Sequence, residues 1–307
     1  MTNNMSEKKQ DIIRLVIYCV LSALPFVAVP FLRSYYGEPI CTGEASASAG
    51  VSLFLSLGMM APALANIITR LVTKEGFKDC RLGLNFKGNA RFYIAAIAVK
   101  LLESVLCTVI IVALFCDVPM SELFSEEFFS MGLPVLLNSL GGSAVFIVIF
   151  FGEEFGWRGY MMPKLLKLMP KPTALIVGGV IWGLWHAPIT AQGHNFGVEY
   201  PFFPWLGILL MTVNCTLTGI FLTYVSERTK SVFPAALCHA ANNQCGAGMI
   251  MAALLSEKAL MSINATGAEF EHPIIIESLI MLIPVAVTGI VSFILFCKKG
   301  KRSEISE

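Results

Sequence analysis

Three short clusters hold the residues able to do chemistry. The first is Gly152-Glu153-Glu154-Phe155-Gly156-Trp157-Arg158, directly after the apolar run from Ala144 to Phe151. Glu154 and Arg158 are four apart, so on a helix they share a face and can pair. Glu153 points about 100° away and stays free for other work. The second cluster, Trp182-Gly183-Leu184-Trp185-His186, stacks an indole one turn from an imidazole. The third sets His239 and Asn243 at the same four-residue spacing, and both can donate hydrogen bonds. Amide hydrolysis without a covalent nucleophile needs a base to activate water and donors for the oxyanion. Glu153 with His186 can hold and deprotonate a water, and His239 with Asn243 can form the oxyanion site. The Glu154–Arg158 pair is expected to lock the helix end and orient Glu153. Glu153, His186 and His239 can instead bind zinc, which would activate the water itself. The helical HExxH zinc motif is absent and no Cys pair has zinc spacing, so a metal-free glutamate route is preferred and zinc stays the alternative.

Other hydrolytic chemistries fit less well. The three aspartates, Asp11, Asp79 and Asp117, all lie outside the depth of an apolar run, which excludes a paired-aspartate site. Gly141-Gly142-Ser143-Ala144 hints at a serine nucleophile but reads equally well as helix packing. No phosphate-binding loop or dinucleotide fingerprint occurs.

The elements that position these clusters are membrane helices. Of the 307 residues, 56% are hydrophobic and 14% charged, and the mean hydropathy is +0.72; soluble domains average about 25% charged residues. The net charge of +1 gives no reason to expect a nucleic-acid partner. The nine cysteines are scattered, most of them inside apolar runs, where Cys acts as a small hydrophobe. Eight apolar stretches approach the roughly 20 residues that a span needs: 11–33, 47–69, 92–116, 133–157, 173–191, 202–225, 233–255 and 274–297. The first is too long for a signal-peptide core and is expected to remain as a span. Eighteen of the 22 Lys and Arg fall on alternate connections, whereas the opposite ones hold Arg33 and Lys258 beside Asp117, Glu122, Glu126, Glu127, Glu269 and Glu271. That alternation predicts eight spans with both termini in the cytoplasm. The fold expected is therefore all-α, a polytopic transmembrane helical bundle forming a single membrane domain over 1–307. Gly152/Gly156 and Gly179/Gly183 are small-xxx-small pairs that let neighbouring helices approach closely.

Ionisable groups within spans cost several kcal/mol unless paired or facing a cavity, and the three clusters concentrate them on three different helices. Their pattern resembles the CAAX protease and bacteriocin-processing (CPBP or Abi) family: EExxxR as Glu153-Glu154-x-x-x-Arg158, FxxxH as Trp182-x-x-x-His186, and HxxxN as His239-x-x-x-Asn243. The motif-bearing core spans 133–255. The resemblance implies an eight-helix membrane fold with a chamber open to the cytoplasm. It also implies water activation by Glu153 and His186 and oxyanion stabilisation by His239 and Asn243, and it makes the type II CAAX endopeptidase a distant relative. Trp182 stands where the family usually has Phe, which keeps an aromatic chamber wall but alters its volume.

The leading expectation is an intramembrane endopeptidase of the cell membrane, acting on a membrane-associated or lipidated peptide or protein near the cytoplasmic face. Bacteriocin maturation is among the duties that the resemblance implies. The alternative is a non-proteolytic membrane protein, such as an immunity or assembly factor or a small transporter. One geometric tension remains. His186 lies about 20 Å from the basic start of its span and His239 about 10 Å, so tilt or offset must bring them together. Lys100 and Glu103, three apart, are expected to pair in a structural or snorkelling role. Asn214 is expected to line the chamber or bond a neighbouring helix, and His194 and Glu199 to be solvated in an outer loop. His272 and Glu277 fall near the outer start of the last span.

Overall fold

Proline sets many of the helix starts. Pro62, Pro163, Pro172, Pro188 and Pro234 each fall in a first turn, where the missing N–H would have had no intrahelical partner and the fixed φ suits the helix. The computed structural model describes residues 2–29, 57–115, 147–246 and 273–298, with isolated positions between 126 and 141 and at 261; the described residues are helices and their connections, with no strand among them. The helices are α1 (Thr2–Val27), α2 (Ala61–Val72), α3 (Ala90–Phe115), α4 (Ile147–Gly156), α5 (Met162–Leu168), α6 (Lys171–Trp185), α7 (Ala187–Thr190), α8 (Trp205–Thr229), α9 (Phe233–Gln244) and α10 (Pro273–Cys297). A π-helical turn, Trp157–Met161, joins α4 to α5.

Among the described residues four helices are long and apolar enough to cross a membrane: Glu7–Val27, Ala90–Phe115, Trp205–Thr229 and Ile274–Cys297. They coincide with the spans expected at 11–33, 92–116, 202–225 and 274–297. Of the stretch 47–69, only α2 and the short lead into it are described. Most of 133–146 and all of 247–255 lie outside the described residues, so α4 and α9 represent the ends of their expected spans.

Two boundaries differ from the reading by hydropathy. The fourth helical segment does not stop at 157 but continues through the π turn and α5 to Leu168. Lys164, expected in a connection, is buried there, with its Nζ 2.8 Å from Asp11 and 2.6 Å from Glu75. The fifth segment breaks: α6 ends at Trp185, His186 is the joint, and α7 follows as a single turn. Pro188 supplies the reason, since its ring and missing N–H cannot continue α6.

α8 is the central helix, packed against α6, α10 and α9. Both small-residue pairs mark close approaches. A Cβ on Gly179 or Gly183 would strike the backbone of Thr216 or Thr212 on α8, and one on Gly152 or Gly156 would strike Met60 or Pro62 at the start of α2. Tyr18, Trp157 and Trp185 interlock edge to face in the core, at centroid distances of 5.7 and 5.5 Å.

Candidate active site

The break after α6 fixes His186. Its backbone N–H turns back to the Gly183 carbonyl at 3.1 Å, and the Trp182 carbonyl oxygen lies 2.9 Å from His186 Nδ1. A carbonyl only accepts, so Nδ1 carries the proton and Nε2 keeps its lone pair. One turn earlier, Trp182 donates its indole Nε1–H to Glu153 Oε2 at 3.1 Å. A single helical segment therefore positions both a carboxylate from α4 and its own imidazole.

Glu154 does different work. Its Oε1 accepts from Arg158 Nη1 at 3.1 Å and from His239 Nδ1 at 2.9 Å. The expectation that the Glu154–Arg158 pair orients Glu153 is therefore replaced: Glu154 holds His239, while Trp182 holds Glu153. Glu154 is 0% exposed, Arg158 3% and Glu153 1%, burial that only pairing or a functional cavity sustains. The Arg158 guanidinium also lies over the Trp182 ring, 4.4 Å from its centroid. Room for it comes from Gly219 on α8, where a Cβ would stand 2.9 Å from Arg158 Nη2.

Glu153, Trp182, His186, His239 and Asn243 all line one cavity of about 500 Å³; Glu154 and Arg158 stand behind its wall. Trp182 is the common neighbour of both histidines, with ring centroids 6.0 Å from His186 and 5.4 Å from His239. The offset between the two imidazoles along their helices is thus absorbed by packing about one indole. Asn243 Oδ1 accepts from Asn242 Nδ2 at 3.0 Å, which leaves the Asn243 amide N–H groups for another acceptor. Among the described residues no group of three or more His, Cys, Asp or Glu side chains is placed to hold a metal ion.

The remaining walls are largely apolar, formed by Phe26, Trp185, Ile189, Leu210, Met211 and Met281. Asn214 lines the cavity, the first of its two expected roles. His194 corrects its expectation: it lines the cavity rather than standing in solvent, whereas Glu199 is exposed. Lys100 and Glu103 pair at 2.7 Å with both side chains buried, so the ammonium does not snorkel; it reaches Thr218 Oγ1, on a cavity-lining residue, at 3.5 Å. Ser143 and His272 lie outside the described residues. Sequence reasoning missed Asn66, whose Nδ2–H donates to the Phe155 carbonyl at 2.9 Å beside the π turn. A π turn shifts the hydrogen-bond register and often accompanies functional sites. An asparagine inside an apolar helix was the available signal.

A helical membrane protein with a carboxylate and two imidazoles facing one apolar cavity is the class that fold and site define. Residues 135–245 match the family described as type II CAAX prenyl endopeptidase Rce1-like. The chain is also 26% identical over 202 residues to CAAX prenyl protease 2 of Methanococcus maripaludis, a likeness covering 63% of this chain and 72% of that protein. Over this segment the chain is similar to the CAAX protease family.

Proposed function

We propose that the protein is an intramembrane endopeptidase that hydrolyses a peptide bond of a membrane-associated or lipidated substrate by carboxylate-activated water. One observation carries the reading: Glu153, His186, His239 and Asn243, from three separate helices, line the same cavity. Glu153 takes the proton of a water held between it and His186 Nε2. His239 Nε2–H, when the ring is protonated, and the Asn243 amide face the oxyanion that forms on the carbonyl. Glu154 and Arg158 act from behind, holding His239, and Trp182 orients Glu153 while forming part of the substrate wall. We propose a metal-free route because the helical HExxH zinc motif is absent and no Cys pair has zinc spacing. Zinc on Glu153, His186 and His239 is the outcome to test against it.

The surrounding architecture is proposed as one membrane domain of eight spans in the cell membrane, with both termini cytoplasmic. The alternation of basic and acidic connections supports this orientation.

The test is cleavage of a library of fluorogenic membrane peptides by detergent-purified protein, with and without a zinc chelator. Glu153→Ala and His186→Ala should each lower kcat/KM by about 10³-fold, and the chelator should change nothing. Inhibition by the chelator would transfer the same residues to a zinc site. Equal cleavage by wild type and both variants would remove the catalytic assignment and favour a non-proteolytic role.

A further inference from the structure

A second cleft, of about 620 Å³, lies away from the active-site cavity, between the loop that joins α2 to α3, the helix α5, and Lys230 just beyond α8. Four cations line it, Lys78, Arg81, Lys167 and Lys230, against one carboxylate, Asp79. Arg81 and Lys230 share a single counter-ion, Glu227, at 2.6 and 2.7 Å. Lys78 and Lys167 are exposed and form no ion pair within 4 Å among the described residues. The cleft therefore keeps a net positive charge that nothing in the catalytic reading uses.

The loop is a built surface. Asn85 Nδ2–H groups donate to the carbonyls of Thr229 and Lys230 at 3.0 and 3.2 Å. Tyr93, in the first turn of α3, donates to the Leu84 carbonyl. Val232 N–H donates to the Arg81 carbonyl at 3.1 Å. Arg81, Asn85 and Lys230 adopt left-handed backbone conformations, with φ of 58°, 47° and 53°, uncommon for residues with a side chain and worth about 1 kcal/mol or more each in strain.

Next to these cations the loop exposes large apolar side chains: Phe77 at 46%, Leu82 at 49%, Leu84 at 59% and Phe86 at 55%. Phe77 and Leu82 line the cleft itself. A free inorganic anion has no use for them, whereas an amphiphile matches both features. The place fits as well, since the loop leads into the start of α3 and is hydrogen-bonded to the end of α8, two helices long enough to span a membrane. Basic residues at that depth attract anionic headgroups, and exposed apolar ones enter the acyl boundary. We infer that this cleft seats the headgroup of an anionic phospholipid, with Lys78 and Lys167 as its cationic contacts and Phe77 and Leu82 beside the acyl chains.

The test uses full-length protein in neutral detergent and follows Tm by tryptophan fluorescence. Short-chain phosphatidylglycerol at about ten times its Kd should raise Tm by about 3 °C. Short-chain phosphatidylcholine, inorganic phosphate and a glutamate-rich peptide should not. Lys78→Gln/Lys167→Gln should keep the lipid-free Tm and lose the shift, and Lys78→Arg/Lys167→Arg should retain it. An equal shift with phosphate would make the ligand a free anion and overturn the lipid assignment. An equal shift with phosphatidylcholine would reduce it to general lipid contact. A shift with the peptide alone would assign the cleft to an acidic protein segment. A full shift in the Gln variant would remove the cleft from the effect altogether.

Discussion

Two ion clusters in this molecule invite comparison. In one, Glu154 binds Arg158 and His239, and none of the three side chains is more than 6% exposed. In the other, Lys164 binds Asp11 and Glu75, whose carboxylates are 16% and 18% exposed, and Tyr160 donates to Glu75 at 2.9 Å. The first lies against a cavity wall deep in the helical core; the second joins α1, the loop after α2, and α5. Both are charge-assisted networks, but they answer different needs. Water reaches the second and limits its desolvation penalty, so a clamp between helix ends is sufficient reason for it. The first meets nearly the whole penalty of burying charge, which pairing alone often fails to offset. What justifies it is the imidazole it holds in place against the cavity.

The sharpest way to break the comparison is Glu154→Gln. Arg158 would then be a buried cation without its partner, and stability should fall by about 3 kcal/mol. His239 would lose the charge that aligns it, and kcat should fall by about 10²-fold with little change in KM. Adding Arg158→Met should recover part of the stability, because no charge is then buried alone, but none of the rate. Recovery of both together would make the cluster a packing device and cancel the contrast with Lys164.

What the sequence disclosed about these clusters follows from the range of each interaction. Glu154 and Arg158, Trp182 and His186, and His239 and Asn243 each sit one helical turn apart, and helix geometry makes such pairs readable without a fold. The union of the three in one cavity depended on tertiary packing that spacing does not encode; the family pattern supplied it. Four of the long apolar helices were legible from hydropathy alone. The π turn after Gly156 was not, since its register shift is supported by Asn66, 89 residues away from the carbonyl it serves. Lys164 read only as part of a connection because its partners are 89 and 153 residues distant. His194 read as a loop residue because nothing local shows that its loop folds back over the cavity.

Lys164→Met sharpens the comparison from the other side. It removes two partly wet ion pairs, and stability should fall by about 2 kcal/mol. Cleavage per folded molecule should stay at the wild-type rate, since neither Asp11 nor Glu75 lines the cavity. Thermal unfolding and active-site-normalised kcat separate these effects. A loss of kcat matching that of Glu154→Gln would show that the clamp reaches the catalytic wall.

The smallest expected effect is a pH dependence confined to the wetter cluster. Burial pushes the Glu75 carboxyl up, but the hydrogen bond and charge of Lys164, with help from Tyr160 and Arg14, outweigh it and hold the group below its ordinary value of 4.5. A carboxyl lowered on folding binds fewer protons in the native state, so its contribution is complete above the unfolded value and fades as pH falls through the folded one. Tm of the wild type should therefore hold from neutrality to about pH 5 and decline below about pH 4.5. In Lys164→Met the main lowering influence is gone, burial acts with less opposition, and the acid-side decline should become shallower. An unchanged acid limb in that variant would mean that carboxylates elsewhere govern acid unfolding, and that Glu75 contributes to the clamp by shape rather than by charge.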